Sequence, residues 1–228
     1  GEQLFDEDLE NGRSRRVNTI YIYDLASFTN PVEMAREIAH EYGHASLPPV
    51  GGFKEPEDWG NGYLGEALYL KWLRDAVAAG QLSDVDCMGA SKKDLEAWVS
   101  RNADAKSDMV YANGPDMAAL VGEGQRALDA YIGLSLYTQE GLGNKLFARS
   151  MKLIGSNKAA DLPAAIVEAV DQAGSATIGL PKRFHNKDVF IPLGKGRLGG
   201  AGLLKKSGDW AQVRVLNPNG LTITMPKE

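Results

Sequence analysis

His40-Glu41-Tyr42-Gly43-His44 holds the residues of this chain best spaced for chemistry. Two histidines four apart stand one turn apart on the same face of a helix, so both imidazoles reach one cation. Glu41 is rotated about 100° from His40, near enough to hold a water at that cation without being a ligand itself. A Zn2+ ion suits such a set, because three protein donors leave a fourth position for water and lower its pKa to about 7. His44 is followed by Ala45-Ser46-Leu47-Pro48-Pro49, so no third histidine arrives in the H-x-x-G-x-x-H spacing. A carboxylate must complete the set.

Four carboxylates are near enough in sequence. Glu55, Glu57 and Asp58 lie in a Pro-rich loop, where acidic residues are ordinarily solvated. Glu66 is different, because on a helical wheel its neighbours are Leu70, Leu73 and Val77. A carboxylate centred on an apolar stripe is costly unless a cation pairs with it. Zinc is one such cation, and a buried Arg or Lys is the other. Glu66 is therefore the preferred third ligand, beside His40 and His44.

The elements that must position these residues are legible around them. Asn30 is a suitable N-cap, Pro31 fits the first helical position and Glu33 completes a variant capping box. That helix runs to about Ser46, where Pro48-Pro49 and Gly51-Gly52 stop it. Gly60-Asn61-Gly62 leads into a second helix over about residues 63–79. Upstream, residues 18–24 (Asn-Thr-Ile-Tyr-Ile-Tyr-Asp) read as a strand, and the stretch before about Arg16 as irregular. Helical spacing recurs over residues 94–101, 116–139, 144–154 and 162–172. Beyond Gly174 the texture becomes β-rich, with strands expected at residues 189–191, 210–215 and 221–224. Asn217-Pro218-Asn219-Gly220 is a turn signal between the last two. Gly194-Lys195-Gly196-Arg197-Leu198-Gly199 matches G-x-G-x-x-G, but no helix follows it, so it reads as a glycine-rich turn rather than a nucleotide loop.

Composition narrows the function classes. A chain of 228 residues can bury a full core. Its net charge of −5 argues against a nucleic-acid partner, which would call for a basic face. No apolar run is long enough to span a bilayer, so no transmembrane segment is expected. Cys87 is the only cysteine, which excludes an intrachain disulfide and any multi-cysteine metal site, and it reads as a structural thiol. The chain starts at Gly1 rather than Met, as a trimmed chain would, and a secreted or cell-envelope location is expected.

These pieces resemble the gluzincin branch of the zinc metallopeptidases. In that family a strand precedes a helix carrying H-E-x-x-H, and a glutamate on a following helix is the third zinc ligand. The matching pieces are Ile20-Tyr21-Ile22-Tyr23, His40-Glu41-Tyr42-Gly43-His44 and Gly65-Glu66-Ala67-Leu68-Tyr69. The resemblance implies an α+β, zincin-like catalytic domain over residues 1–174, followed by a small β-rich region over 175–228. It implies a Zn2+-dependent peptidase acting on a peptide or protein substrate, with Glu41 as general base and a strand edge at residues 20–23 for an extended substrate. It also implies a Tyr or His donor for the developing oxyanion, for which Tyr111 is the first candidate and His185 the second. Two departures stand out. Leu70 occupies the place where thermolysin-like members carry an acid that orients a ligand histidine, so another group must do that work. The G-x-M-E-N signature of the related aminopeptidases is absent, whereas the short interval between His44 and Glu66 is similar to the enhancin-like members. The rival reading is a surface protein whose β-rich part binds a glycan or protein, with a structural or vestigial zinc site; Glu41, which a structural site does not need, favours the enzyme.

Overall fold

The computed structural model of the chain describes residues 2–10, 13–83, 87 and 89–226. Helices and antiparallel strands make it an α+β protein. Its contacts divide it into two compact units, one formed by Gly1–Pro49 with Gly60–Ala103, the other by Val50–Trp59 with Asp104–Glu228.

The first unit opens with a hairpin, β1 (Glu2–Glu10) and β2 (Arg13–Tyr21). An irregular start is the expectation from sequence, and the register explains the difference. It sets Glu7 opposite Arg16, Asp8 opposite Arg15 and Glu10 opposite Arg13, so acidic positions of one strand match basic positions of the other. Such complementarity leaves no apolar alternation along the chain. The strand expected at residues 18–24 accordingly begins earlier and ends at Tyr21. Helix α1 (Pro31–Ser46) has the expected bounds. The Asn30 side chain accepts from the Val32 amide at 3.0 Å, and Glu33 turns instead to Arg36, at 2.9 Å. Helix α2 (Asn61–Ala78) buries Leu64, Ala67, Leu70 and Leu73. Ser91 caps α3 (Lys92–Val99) through the Asp94 amide, and a π-helical turn over Ser100–Asp104 follows.

Three glycines decide how closely α1 and α2 approach, and two of them form the contact itself. A Cβ at Gly65 would lie 2.6 Å from the Gly43 Cα and 2.7 Å from the Ala39 carbonyl oxygen. One at Gly43 would strike the Asn61 carbonyl oxygen and lie 3.0 Å from the Gly65 Cα and 3.1 Å from that of Gly62. The two helices therefore meet backbone to backbone on the face that carries the histidines, which only glycine permits.

In the second unit, α4 (Ala105–Asn113), α5 (Met117–Leu120), α6 (Gln125–Leu153) and α7 (Leu162–Ala173) pack with six strands. Helix α4 is not expected from apolar periodicity. Helix α6 runs through the gap expected at residues 140–143, with its break at Gly143, where φ is +82°. The strands are β3 (Ser175–Thr177), β4 (Asp188–Pro192), β5 (Arg197–Gly199), β6 (Ala201–Ser207), β7 (Trp210–Val215) and β8 (Thr222–Thr224). They form two antiparallel sheets, ordered β3-β8-β5 and β4-β7-β6. The turn at residues 217–220 thus joins strands of different sheets rather than closing a hairpin. Gly200 holds the crossing, its carbonyl accepting from the amides of Leu216 and Asn217 at 2.9 Å each. Gly194 and Gly196 lie in the turn before β5, and no helix begins there.

No break appears near residue 174. The Tyr137 hydroxyl on α6 donates to the Phe190 carbonyl on β4 at 2.9 Å, and its ring lies 5.7 Å from that of Trp210 on β7. Helices and strands share this core, so the β-rich part is not an appendage. Phe53 anchors the segment Val50–Trp59 in the same unit, its ring 5.6 Å from Tyr131, while the Gly51 amide donates to the Asn157 carbonyl at 2.9 Å.

Candidate metal centre

Both histidines of the H-E-x-x-H helix turn the same nitrogen toward one another. The Nε2 atoms of His40 and His44 are 3.1 Å apart, with the rings edge to face at 77°. Each Nδ1 is occupied by an acceptor from α2. Glu66 Oε1 lies 2.7 Å from Nδ1 of His40, and Asn61 Oδ1 lies 2.9 Å from Nδ1 of His44. The Asn61 amide nitrogen points the other way, toward the carbonyls of His44 and Leu47 at 3.4 and 3.3 Å, which fixes which end of the side chain is the oxygen. With both Nδ1 atoms donating, both Nε2 atoms of neutral rings carry lone pairs. Two nitrogens facing one another at this distance can share a positive centre, either a proton on one ring or a metal ion.

The space beside them is kept clear by the backbone of α2. A Cβ on Gly62 would lie 2.6 Å from Nε2 of His40 and 2.7 Å from Nε2 of His44. Gly62 therefore leaves a cradle that any other residue would fill. His40 and His44 thus turn two imidazole nitrogens toward one point within the first unit, a pair that could share a metal ion. Two imidazoles are donors that fit a divalent ion such as Zn2+. Glu41 is a charged residue on the buried side of α1, only 5% exposed.

Glu66 stands on the Nδ1 side of His40, away from the nitrogen that faces His44. It is 3% exposed, and a half-buried arginine reaches it: Arg36 Nη1 lies 3.2 Å from its Oε1, beside His40. Burial by itself would lower the Arg36 pKa, but the charges of Glu66 and Glu33 outweigh it and hold the guanidinium above its ordinary value. Of the loop carboxylates, Glu55 and Asp58 are exposed.

Tyr111 does not present a hydroxyl to a surface. It is 0% exposed, packed 4.5 Å from the Tyr137 ring and 4.8 Å from Phe184, and its hydroxyl has no hydrogen-bond partner. It serves the core of the second unit, which argues against the donor role expected of it. His185 staples its own loop, Nε2 lying 3.0 Å from the Leu180 carbonyl oxygen. Arg36, Asn61 and Gly62 join the site without being expected from spacing along the chain. Only Arg36 carries a signal, four residues before His40 and so on the same helical face.

Comparison with known proteins finds no matching family model, no matching curated protein and no matching solved structure. No helix among the described residues is long and apolar enough to cross a membrane.

Proposed function

We propose that the chain is a zinc metallopeptidase of zincin type that hydrolyses peptide bonds in peptide or protein substrates. The observation that carries this reading is the convergence of the His40 and His44 Nε2 atoms beside Gly62, with both Nδ1 atoms already engaged. A site that only braced the fold would have no need of a buried Glu41 next to His40. His40 and His44 would hold the ion through their Nε2 atoms. A bound zinc ion would supply Lewis acidity, polarising a carbonyl and lowering the pKa of water.

The protein's own residues do the rest. Glu41 accepts a proton as the oxygen of water attacks the peptide carbon. It returns that proton to the amide nitrogen as the C–N bond breaks, so one water is consumed per bond cleaved. Asn61 and Glu66 keep the two imidazoles turned with Nε2 toward one point, which costs nothing at the moment of reaction because the contacts are already made.

The test pairs metal with turnover. Purified chain is expected to take up about one zinc ion and to cleave members of a peptide library. Glu41→Gln is expected to keep the metal and to lose about 10²–10⁴-fold in kcat. Zinc-loaded wild type that leaves every peptide and protein intact would sink the peptidase reading.

A further inference from the structure

Glu66 sits where its chemistry is sharply constrained. It is buried on α2 in line with Leu70 and Leu73, and it touches two partners through one oxygen. Oε1 is 2.7 Å from Nδ1 of His40 and 3.2 Å from Nη1 of Arg36. Arg36 is held in its turn by Glu33, 2.9 Å from Nε. The two nitrogens of an imidazole lie on different edges of the ring, and it is Nε2 of His40 that faces His44. An oxygen seated at Nδ1 therefore lies across the ring from the point on which both Nε2 atoms converge.

We propose that Glu66 is a positioning residue for His40 rather than a ligand of the metal, and that Arg36 holds it in that role. Its carboxylate accepts the Nδ1 proton, so His40 presents Nε2 as the unprotonated nitrogen. The negative charge at Nδ1 also makes Nε2 a stronger donor to a cation. Arg36 neutralises the carboxylate that α2 buries and fixes its rotamer, so the imidazole cannot turn without breaking an ion pair. Spacing along the chain matches this acid on its apolar stripe to zinc, and the geometry reverses that assignment. It also accounts for Leu70: the orienting acid is Glu66 itself. The inference rests on reading the site as a metal centre.

A ligand and a positioning residue respond differently to a neutral acceptor. An amide is a poor zinc ligand, yet its oxygen still accepts from Nδ1. Zinc chloride titrated into the full chain against a chromophoric chelator gives the affinity, and cobalt(II) absorption gives the coordination number. Glu66→Ala is expected to weaken zinc about 10–100-fold, and Glu66→Gln to recover most of that loss. The cobalt(II) spectrum of the Gln variant should keep the wild-type shape. Arg36→Met, which leaves Glu66 in place, should weaken zinc by a smaller factor with the same spectrum, and it serves if the Glu66 variants fail to fold. A Gln variant that loses zinc as fully as Ala, or whose cobalt(II) spectrum reports one donor fewer, makes Glu66 a ligand and overturns the inference. Wild type that binds neither zinc nor cobalt(II) overturns the metal reading beneath it, a separate result.

Discussion

Gly62 has no side chain, and for that reason it controls the site. Its missing Cβ would stand within 2.7 Å of both Nε2 atoms, closer than any real contact of that kind. Gly62→Ala is expected to lower zinc affinity by at least about 100-fold, because a methyl group would occupy the cradle and turn the imidazoles away. It should change helix content little, since Ala is the better helix former by about 1 kcal/mol. Isothermal titration with zinc chloride beside circular dichroism separates the two effects. A variant that binds zinc as well as wild type would place the cation somewhere other than beside Gly62. At this scale His40, Glu41 and His44 are legible along the chain, because their spacing depends only on helical geometry. Asn61 and Gly62 are not, because their role depends on which helix lies opposite.

At the scale of elements, α1 and α2 form a scaffold joined by glycines. Gly65 touches the α1 backbone at Gly43 and Ala39, so Gly65→Ala must push the helices apart. Overpacking of this kind costs about 1–3 kcal/mol, offset in part by the helix preference of Ala. A lower denaturation midpoint is expected together with weaker zinc binding, since Glu66 and Asn61 would retreat from the histidines with α2. If urea unfolding of the variant matched wild type while zinc binding held, the close approach would not matter. The bounds of α1 are readable because Asn30, Pro31 and the Pro/Gly run after Ser46 act locally. The start of the second helix differs by two residues from the expectation. Asn61 reads as part of a turn, yet it opens α2 while its side chain satisfies carbonyls at the end of α1.

Across the whole molecule, three tyrosines show how deeply the second unit is buried. Burial pushes the Tyr111, Tyr131 and Tyr137 hydroxyls above the ordinary phenol range. Unfolded tyrosines titrate at about 10. Below that pH both folded and unfolded chains keep these protons, and the stabilisation is complete. Above it the unfolded chain releases protons that the folded chain retains, so stability falls as pH rises. Absorbance at 295 nm is expected to show Tyr111, Tyr131 and Tyr137 ionising only as circular dichroism reports unfolding. Eight tyrosines ionising together in a folded chain would contradict the buried core. That core also explains why the β-rich part is no independent tail. The change in texture at Gly174 is real, but Tyr137, Phe190 and Trp210 join strand to helix across it.

By itself the sequence determined the features that depend on neighbours along the chain. Helical period placed His40 and His44 on one face, caps and breakers bounded α1, and β-rich texture located β4, β7 and β8. Those signals are local, carried by residues within a turn or two of each other. The tertiary structure alone decided which groups meet. It brought Glu66 and Arg36 to the Nδ1 side of His40 and Asn61 to Nδ1 of His44, paired an acidic strand with a basic one, and sent β7 and β8 to different sheets. An apolar stripe can show that a buried carboxylate needs a cation. Which cation it receives is set by the helix packed against it, and that contact has no period in the sequence.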